Sequence, residues 1–468
     1  MNGSIRHLFC PTSVKIRWIA SLWILTSTPA VWADRPPMDP AKGQSAYAQS
    51  CARCHGVDGR GDGVDAKRFY PRPRDFTRGI YKFRSTASGT PPTDEDLYQS
   101  ITHGLPGTNM PDWQHLDEST RWHLVDYLKS LSEVFTQTQP ELVARTVDPG
   151  ADKADRAKGK TLYDQLGCAA CHGQNGRANG PSAAGLVDDW GMPIRPANLT
   201  QGWNYRGGAS ARDVMLRVLT GVDGAGMPSY TGAVSPEDAW LLAYYVTQLQ
   251  EPAHWYPISS AYPFEGELPQ TVDDPRWNHA ERTDLRLRQT VSSTGEWTLA
   301  PTVNAVSIQL AYNEQAVAIR CAWDDPTQNP DSSAGIPDAL AIVFKPSGSR
   351  GDTVSLQAWP LAESQPLDIV YWQASTPLGQ AKEMIATNFD QLLASKLKQV
   401  SLQSAATYEQ GRWQLLIRRP RVRDDLPHAT RLSPDDSMSF GIVIWDASEA
   451  GSRAVSAWQE VRYAESHP

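Results

Sequence analysis

The chain runs to 468 residues, of which 40% are hydrophobic and 17 are tryptophan. That is too long for one ordinary domain, predicts about three, and excludes a disordered or low-complexity protein. With 44 basic against 52 acidic side chains and a net charge of −8, the balance argues against nucleic acid and anionic membrane surfaces, while permitting a basic protein partner.

In chain order, residues 1–33 read as a secretory signal peptide. Arg6, Lys15 and Arg17 form a basic leader, "WIASLWILTSTPAV" (18–31) is apolar but too short for a bilayer, and Val31 and Ala33 are small enough to precede a cut before Asp34. An uncut N-terminal anchor is the alternative on the same residues. Cleavage removes three basic groups and no acidic ones, leaving 41 against 52 and a net charge of −11. The expected location is the periplasm. No later stretch is long and apolar enough to cross a membrane.

Two cysteine motifs follow, "CARCHG" (51–56) and "CAACHG" (168–173). A zinc ribbon would need its second pair some 15–20 residues on, whereas Cys54 and Cys168 are 114 apart. A dithiol redox pair would want a βαβ setting and has no use for the adjacent histidine. Cys-x-x-Cys-His is the attachment signal for covalent haem: two thioether bonds to the ring, with the next imidazole carried beneath the iron. Cys51, Cys54, Cys168 and Cys171 are therefore the expected tethers of two haem c groups, with His55 and His172 as proximal ligands. Of the other cysteines, Cys10 lies in the leader and Cys321 reads as a buried, inert thiol on a strand.

A sixth ligand emerges from comparing the repeats. Fifty-five residues separate His55 from Met110 in "HGLPGTNMPDW", and the same number separates His172 from Met227 in "TGVDGAGMPSY". One offset, 117, relates both cysteines, the histidine and the methionine of each half. A packing methionine need not hold that register; a ligand facing a fixed iron must. The rivals fail it, since His103 maps to Thr220 and Met192 to Asp75. "PRDFT" (73–77) and "PANLT" (196–200) also correspond, as loops able to cover a haem edge. "WHLVDYLKSL" (122–131) and "WLLAYYVTQL" (240–249) read as closing helices. Asp58, Asp62 and Asp65 lack EF-hand spacing and read as a solvated loop.

This order of motif, distal Met-Pro and terminal aromatic helix resembles class I cytochrome c domains in tandem. The resemblance covers 40–135 and 155–252, with 136–154 as a polar linker. It implies all-α folds and His/Met-ligated irons that raise both potentials relative to bis-histidine haem.

Residues 253–270 are rich in proline and read as a second linker. Beyond them, 271–468 changes pattern. "VSIQLAYNEQAVAIRCAWDD" (306–325) alternates apolar and polar residues around a turn, and "DALAIVFKP", "DIVYWQA", "RWQLLIRRP" and "MSFGIVIWD" are further short runs. They predict an all-β antiparallel sandwich, with no nucleophile–base group, phosphate loop or metal cluster. The order "DDPRWNHA", "AWDDP", "DALAIVF", "PLDIVYW", "GRWQLLIRRP" and "FGIVIWDASEAGSRAVSAW" resembles the haem-b-binding γ subunits of the ethylbenzene dehydrogenase group. Related domains occur in cytochrome subunits of nitrite oxidoreductases. The resemblance implies an electron-transfer subunit serving a molybdenum-containing subunit through an iron–sulfur one. This chain departs from that family at the haem ligands. No methionine stands near Pro366, and Arg453 occupies the lysine position, where guanidinium offers iron no lone pair. Lys382, Met384 and Met438 lie elsewhere. The departures argue against haem b and leave the sandwich as a docking module.

The expectation is thus an exported dihaem electron carrier with no catalytic residue. Its expected partners are iron–sulfur and molybdopterin subunits and a soluble or membrane-bound redox carrier, not nucleic acid. Two alternatives remain. A haem enzyme could use His103, His115 and His123 on a small oxidant or nitrogen oxide. A ligand-binding module could use Trp359, Trp372, Trp413, Trp445 and Trp458, although a sandwich core uses tryptophan as readily.

Overall fold

A computed structural model describes residues 35–258, 260–290, 302–330, 337–345, 366–375, 379–387, 398–426, 429–432, 437–447 and 453–463. The leader, Trp359 and most of the stretch preceding Pro366 lie outside them. Met38–Pro468 form one compact unit.

The first helical domain contains α1 (Pro40–Ser50), α2 (Ala52–His55), α3 (Asp94–His103), α4 (Glu118–Ser130) and the short α5 (Val134–Gln137). The second repeats the order with α6 (Arg156–Gln165), α7 (Ala169–His172), α8 (Ala211–Thr220) and α9 (Pro236–Gln248). The longer helices start where local chemistry dictates. Thr93 and Asp96 form a capping box on α3, Ser210 and Asp213 form its counterpart on α8, and Ser235 caps α9 with proline in the first turn. The opening and closing helices cross at glycine. A Cβ on Gly43 would sit 1.9 Å from the His123 carbonyl oxygen, and one on Gly159 would sit 2.3 Å from that of Leu241. Without side chains there, α1 closes on α4 and α6 on α9. Leu97, Ile101, Leu124 and Leu128 fill the first core. Val214, Leu219, Leu242 and Val246 fill the second.

The stretch 136–154, read as a polar linker, is bolted down. Val143 is buried in the second core, its amide bonds Ser85 O at 3.2 Å, and Asp148 accepts from the Tyr244 hydroxyl at 2.6 Å. The stretch 253–270 likewise supplies a strand, β1 (Ser260–Pro263). Backbone groups in these segments take partners from neighbouring elements, which composition does not register.

The remaining strands are β2 (Thr283–Thr290), β3 (Ala305–Tyr312), β4 (Ala316–Asp324), β5 (Ala339–Phe344), β6 (Leu367–Gln373), β7 (Lys382–Ala386), β8 (Val400–Ser401), β9 (Gln403–Glu409), β10 (Arg412–Pro420), β11 (Met438–Trp445), β12 (Arg453–Ser456) and β13 (Gln459–Tyr463). The order is β8-β7-β6-β5-β11-β12-β2-β3-β4-β10-β9, antiparallel along the path. β1 is added in parallel to β13 and β3. Ile342 and Trp372 from one half share a core with Ile319, Trp323 and Ile417 from the other, so the halves face each other as a sandwich. The outer face of β3, β4 and β10 is covered by Leu268, Val272 and Trp277. Burial on both faces explains the continuous apolar run of β5, whose six residues are all buried.

Candidate haem-binding sites

In each half, one helical turn gathers the motif. Cys51 ends α1, and the His55 amide bonds its carbonyl at 2.9 Å; His172 bonds Cys168 O at the same distance. Positions i, i+3 and i+4 of a turn share a face, so both sulfurs and the imidazole point to one side. A tyrosine one turn earlier braces the motif from behind. The Tyr47 hydroxyl donates to Gly56 O at 2.9 Å, and the Tyr163 hydroxyl to Gly173 O at 2.7 Å. Gly56 and Gly173 both have φ of 80°, where a side chain would be strained.

The proximal histidines are oriented alike. Nδ1 of His55 lies 3.0 Å from Arg74 O, and Nδ1 of His172 lies 2.9 Å from Ala197 O. A carbonyl only accepts, so Nδ1 carries the proton and Nε2 keeps its lone pair for a metal. Burial pushes both imidazoles below their ordinary pKa, which favours the neutral, ligating form. The acceptor carbonyls belong to the "PRDFT" and "PANLT" loops. Phe76 of the first also stacks on the His55 ring at 4.6 Å.

The methionine loops match as closely. Leu105 N bonds Met110 O at 3.0 Å, and Val222 N bonds Met227 O at 3.0 Å. Each loop leaves its helix through a left-handed glycine, Gly104 at φ 63° and Gly221 at φ 66°. A Cβ at either would come within 2.5 Å of the backbone just past the methionine. Thus the loop path, as well as the sequence register, is common to Met110 and Met227.

The donor set fits haem c. Cys51, Cys54, His55, Met110, Cys168, Cys171, His172 and Met227 are all half-buried, although closed apolar cores lie beside them. Burial raises the Cys51 thiol to about 12 and that of Cys168 to about 11. A raised thiol pKa is the opposite of what marks a reactive, solvent-accessible dithiol. Two tethered haems account for all four cysteines.

The other residues singled out from sequence disperse. His103 and His115 are exposed, while His123 is buried on α4. Met192 lies on the loop at 187–193, its carbonyl accepting from Asp188 N at 2.8 Å. Asp58 and Asp62 are exposed. Met384 and Met438 are core residues of the sandwich, and Lys382 is exposed. Trp372 and Trp413 join Trp323 in the sandwich core. Trp445 packs on Tyr371, and Trp458 lies beneath Lys345.

The expectation that the sandwich holds no group of metal-binding type needs correcting. Asp325 and Asp338, from the two ends of the β4–β5 connection, and Asp446, after β11, are buried with carboxylate oxygens within 4.8 Å of one another. Asp338 accepts from Asn329 N at 2.7 Å, Ala447 N at 3.0 Å and Trp413 Nε1 at 3.2 Å. Burial, with the Asp446 charge adding to it, raises its carboxyl to about 6.

Sequence reasoning also missed what stands behind each proximal loop. Behind the first, Trp190 of the second domain stacks under Arg74 at 4.3 Å and Arg78 at 4.9 Å. Behind the second, Asp324 of the sandwich accepts from Asn198 at 2.9 Å and Gln201 at 3.1 Å, and pairs with Arg177. No signal in the chain joins residues so far apart.

Comparison with known proteins identifies both helical domains as cytochrome c domains. A model described as cytochrome C oxidase, cbb3-type, subunit III matches residues 38–128, and one described as cytochrome c matches 156–250. The chain is 29% identical to a cbb3-type cytochrome c oxidase subunit CcoP of Azospirillum sp., over 45% of this chain and 62% of that protein. It therefore spans under two thirds of that relative's length. A protein of Haloferax mediterranei named as a respiratory nitrate reductase heme subunit is 21% identical over 44% of this chain and 72% of its own. A cytochrome c of Theileria annulata is 31% identical over 21% of this chain and 90% of its own length. Among solved structures, a chain of the reducing HAO-like protein complex of Kuenenia stuttgartiensis is 40% identical. It covers 46% of this chain and 100% of that chain, with a TM-score of 0.44. A carbohydrate binding module family 9 from Caldicellulosiruptor kristjanssonii is 11% identical, covering 45% and 98%, with a TM-score of 0.28. The chain belongs to the cytochrome c family, carrying two of its domains and two haem c sites ahead of a β-sandwich.

Proposed function

We propose that this dihaem c-type cytochrome is the exported electron-transfer subunit of a molybdenum-containing oxidoreductase complex. In this reading it passes electrons one at a time between a soluble or membrane-bound carrier and an iron–sulfur subunit. The observation that carries its chemistry is the matched pair of sites: in each, a carbonyl-anchored histidine is partnered in register by a loop methionine. His55 and Met110 serve the first iron, His172 and Met227 the second.

Haem c, when bound, supplies an iron that gains and loses one electron. The chain's part is to hold that centre still. Cys51, Cys54, Cys168 and Cys171 tether the rings. Arg74 O and Ala197 O fix the imidazole planes and keep Nδ1 protonated through the cycle. Met110 and Met227 would hold the irons together with the histidines, which would favour electron transfer over substrate binding. Residues of the sandwich that contact the second domain, Asp324 and Arg412, make a rigid base on which an enzyme partner can dock.

The reading of partners draws support from relatives named as subunits of a nitrate reductase and of cbb3-type oxidases, and from the order of β motifs at 273–458. The basic leader and apolar run at 1–33 support export to the periplasm. Among the described residues no helix is long and apolar enough to cross a membrane. Purification from the native host under mild conditions tests the proposal. Stoichiometric molybdenum and non-haem iron accompanying the cytochrome are expected; their consistent absence overturns the assignment of partners.

A further inference from the structure

The two methionine loops share a path but not a support. In the first, Thr108 Oγ1 donates to Leu105 O at 2.7 Å and accepts from Met110 N at 3.0 Å. The loop is pinned from within. At the same offset the second loop has Ala225, which has no hydroxyl, followed by Gly226.

What the second loop lacks internally, the first domain supplies. Asp223 stands where the first loop has Pro106. Its carboxylate receives Arg84 Nη2 at 2.7 Å, Ser88 Oγ at 2.7 Å and Gly89 N at 3.0 Å. All three donors belong to the first domain. Arg84 is itself locked. Its side chain is 1% exposed, and it donates to Tyr81 O at 3.1 Å and to Thr220 O, at the end of α8, at 3.0 Å. Arg217 reaches back to the carbonyls of Lys82 and Arg84. On the loop's other flank, a Cβ on Gly224 would lie 2.7 Å from the Trp190 ring and 3.1 Å from Ile80. The turn is thus gripped between an ion pair whose arginine is buried and whose carboxylate is half-buried, and packed side chains. Val222 N and Met227 O close that same turn, so the grip bears on where Met227 stands.

We infer that the first cytochrome domain completes the methionine site of the second, with Arg84 as a positioning residue that holds the Met227 loop through Asp223. This rests on Met227 being the sixth ligand of the second iron. A buried arginine–carboxylate contact with auxiliary hydrogen bonds resists displacement far more than a solvated one. The second centre's potential therefore depends on the Arg84–Asp223 contact between domains, whereas the first centre's methionine loop, which packs on Asn204 of the second domain, adds the internal Thr108 bonds that the second lacks.

The test uses the full-length holoprotein and three variants, Arg84→Lys, Asp223→Asn and Met227→His. Readouts are the two midpoint potentials, the far-red charge-transfer band of methionine-ligated ferric haem, and displacement of sulfur by added imidazole. In Asp223→Asn and Arg84→Lys with two haems retained, imidazole should displace one methionine about tenfold more readily. The same potential that Met227→His moves should fall, and the other should stay. If Met227→His moves a potential while both clamp variants leave band, potential and imidazole affinity unchanged, the clamp is refuted and the ligation stands. If Met227→His moves neither potential, the ligation reading fails and takes the clamp with it. Should Arg84→Lys not fold, Asp223→Asn, which keeps the side chain's size, decides alone.

Discussion

The two cytochrome domains were built on one plan and then embedded differently. Both brace the haem motif with a tyrosine, anchor the histidine on a loop carbonyl, and bring the methionine back through a left-handed glycine. They differ in what stands behind these parts. The first domain's proximal loop is backed by an aromatic ring, Trp190, lying under two guanidinium groups. The second's is backed by a carboxylate, Asp324, that gathers Arg177, Asn198 and Gln201. Each haem site is therefore finished by the domain that follows it in the chain, and the second also by the one before. Duplicated modules can keep identical inner geometry while diverging in outer support, where each copy meets a different neighbour.

Three experiments would break or sharpen that contrast. The largest effect is expected from Asp324→Ala. It leaves Arg177 and Arg412 with Glu251 alone, and should cost about 3 kcal/mol in denaturant unfolding of the holoprotein. The second haem's potential should shift and the first's should not; equal shifts would mean the two backings are interchangeable. Next come the shared parts. Tyr47→Phe and Tyr163→Phe each remove one buried hydroxyl-to-carbonyl bond and should each cost about 1 kcal/mol. Unequal losses would show that the plan is less repeated than its geometry.

The smallest effect is a difference of sign with pH. Asp338 of the sandwich is raised to about 6 from an ordinary 3.8. The folded state then binds the extra proton between those values. This group's contribution is full below about 3.8 and is lost as pH rises through 6. In the cytochrome domains, Asp39, Asp65 and Asp117 are held low by hydrogen bonds from Lys42 N, the Arg53 side chain and the Thr120 side chain. Their contribution is present above the ordinary value and fades as pH falls. Urea titrations of the sandwich transition between pH 4 and 7 should slope downward. Asp338→Asn should flatten the slope; an unchanged slope would assign it elsewhere.

Much of the site was legible before the fold. The spacing of Cys51, Cys54 and His55 is a local helical geometry, and the register of Met110 with Met227 is a comparison within one chain. The closing helices at 122–131 and 240–249 are local patterns too, whereas α3 and α8 and their caps at Thr93 and Ser210 came only with the structure. The packing of the segments between the domains was not legible, because composition says nothing about which neighbour accepts a backbone amide. Val143 and β1 are held by partners remote in sequence. The acidic group in the sandwich was invisible for the same reason, since Asp325 and Asp338 stand at the two ends of the β4–β5 connection and Asp446 joins them from the end of β11.

By itself, then, the order of residues determined the kind of cofactor and the number of copies, because those depend on contacts within a turn and on a repeat. Only the tertiary structure decided which surface supports each site: Trp190 beneath Arg74, Arg84 on Asp223, Asp324 behind Asn198. Such pairs join residues over a hundred positions apart. Their energy arises from the water that folding expels around them, and no periodicity along the chain encodes that exclusion.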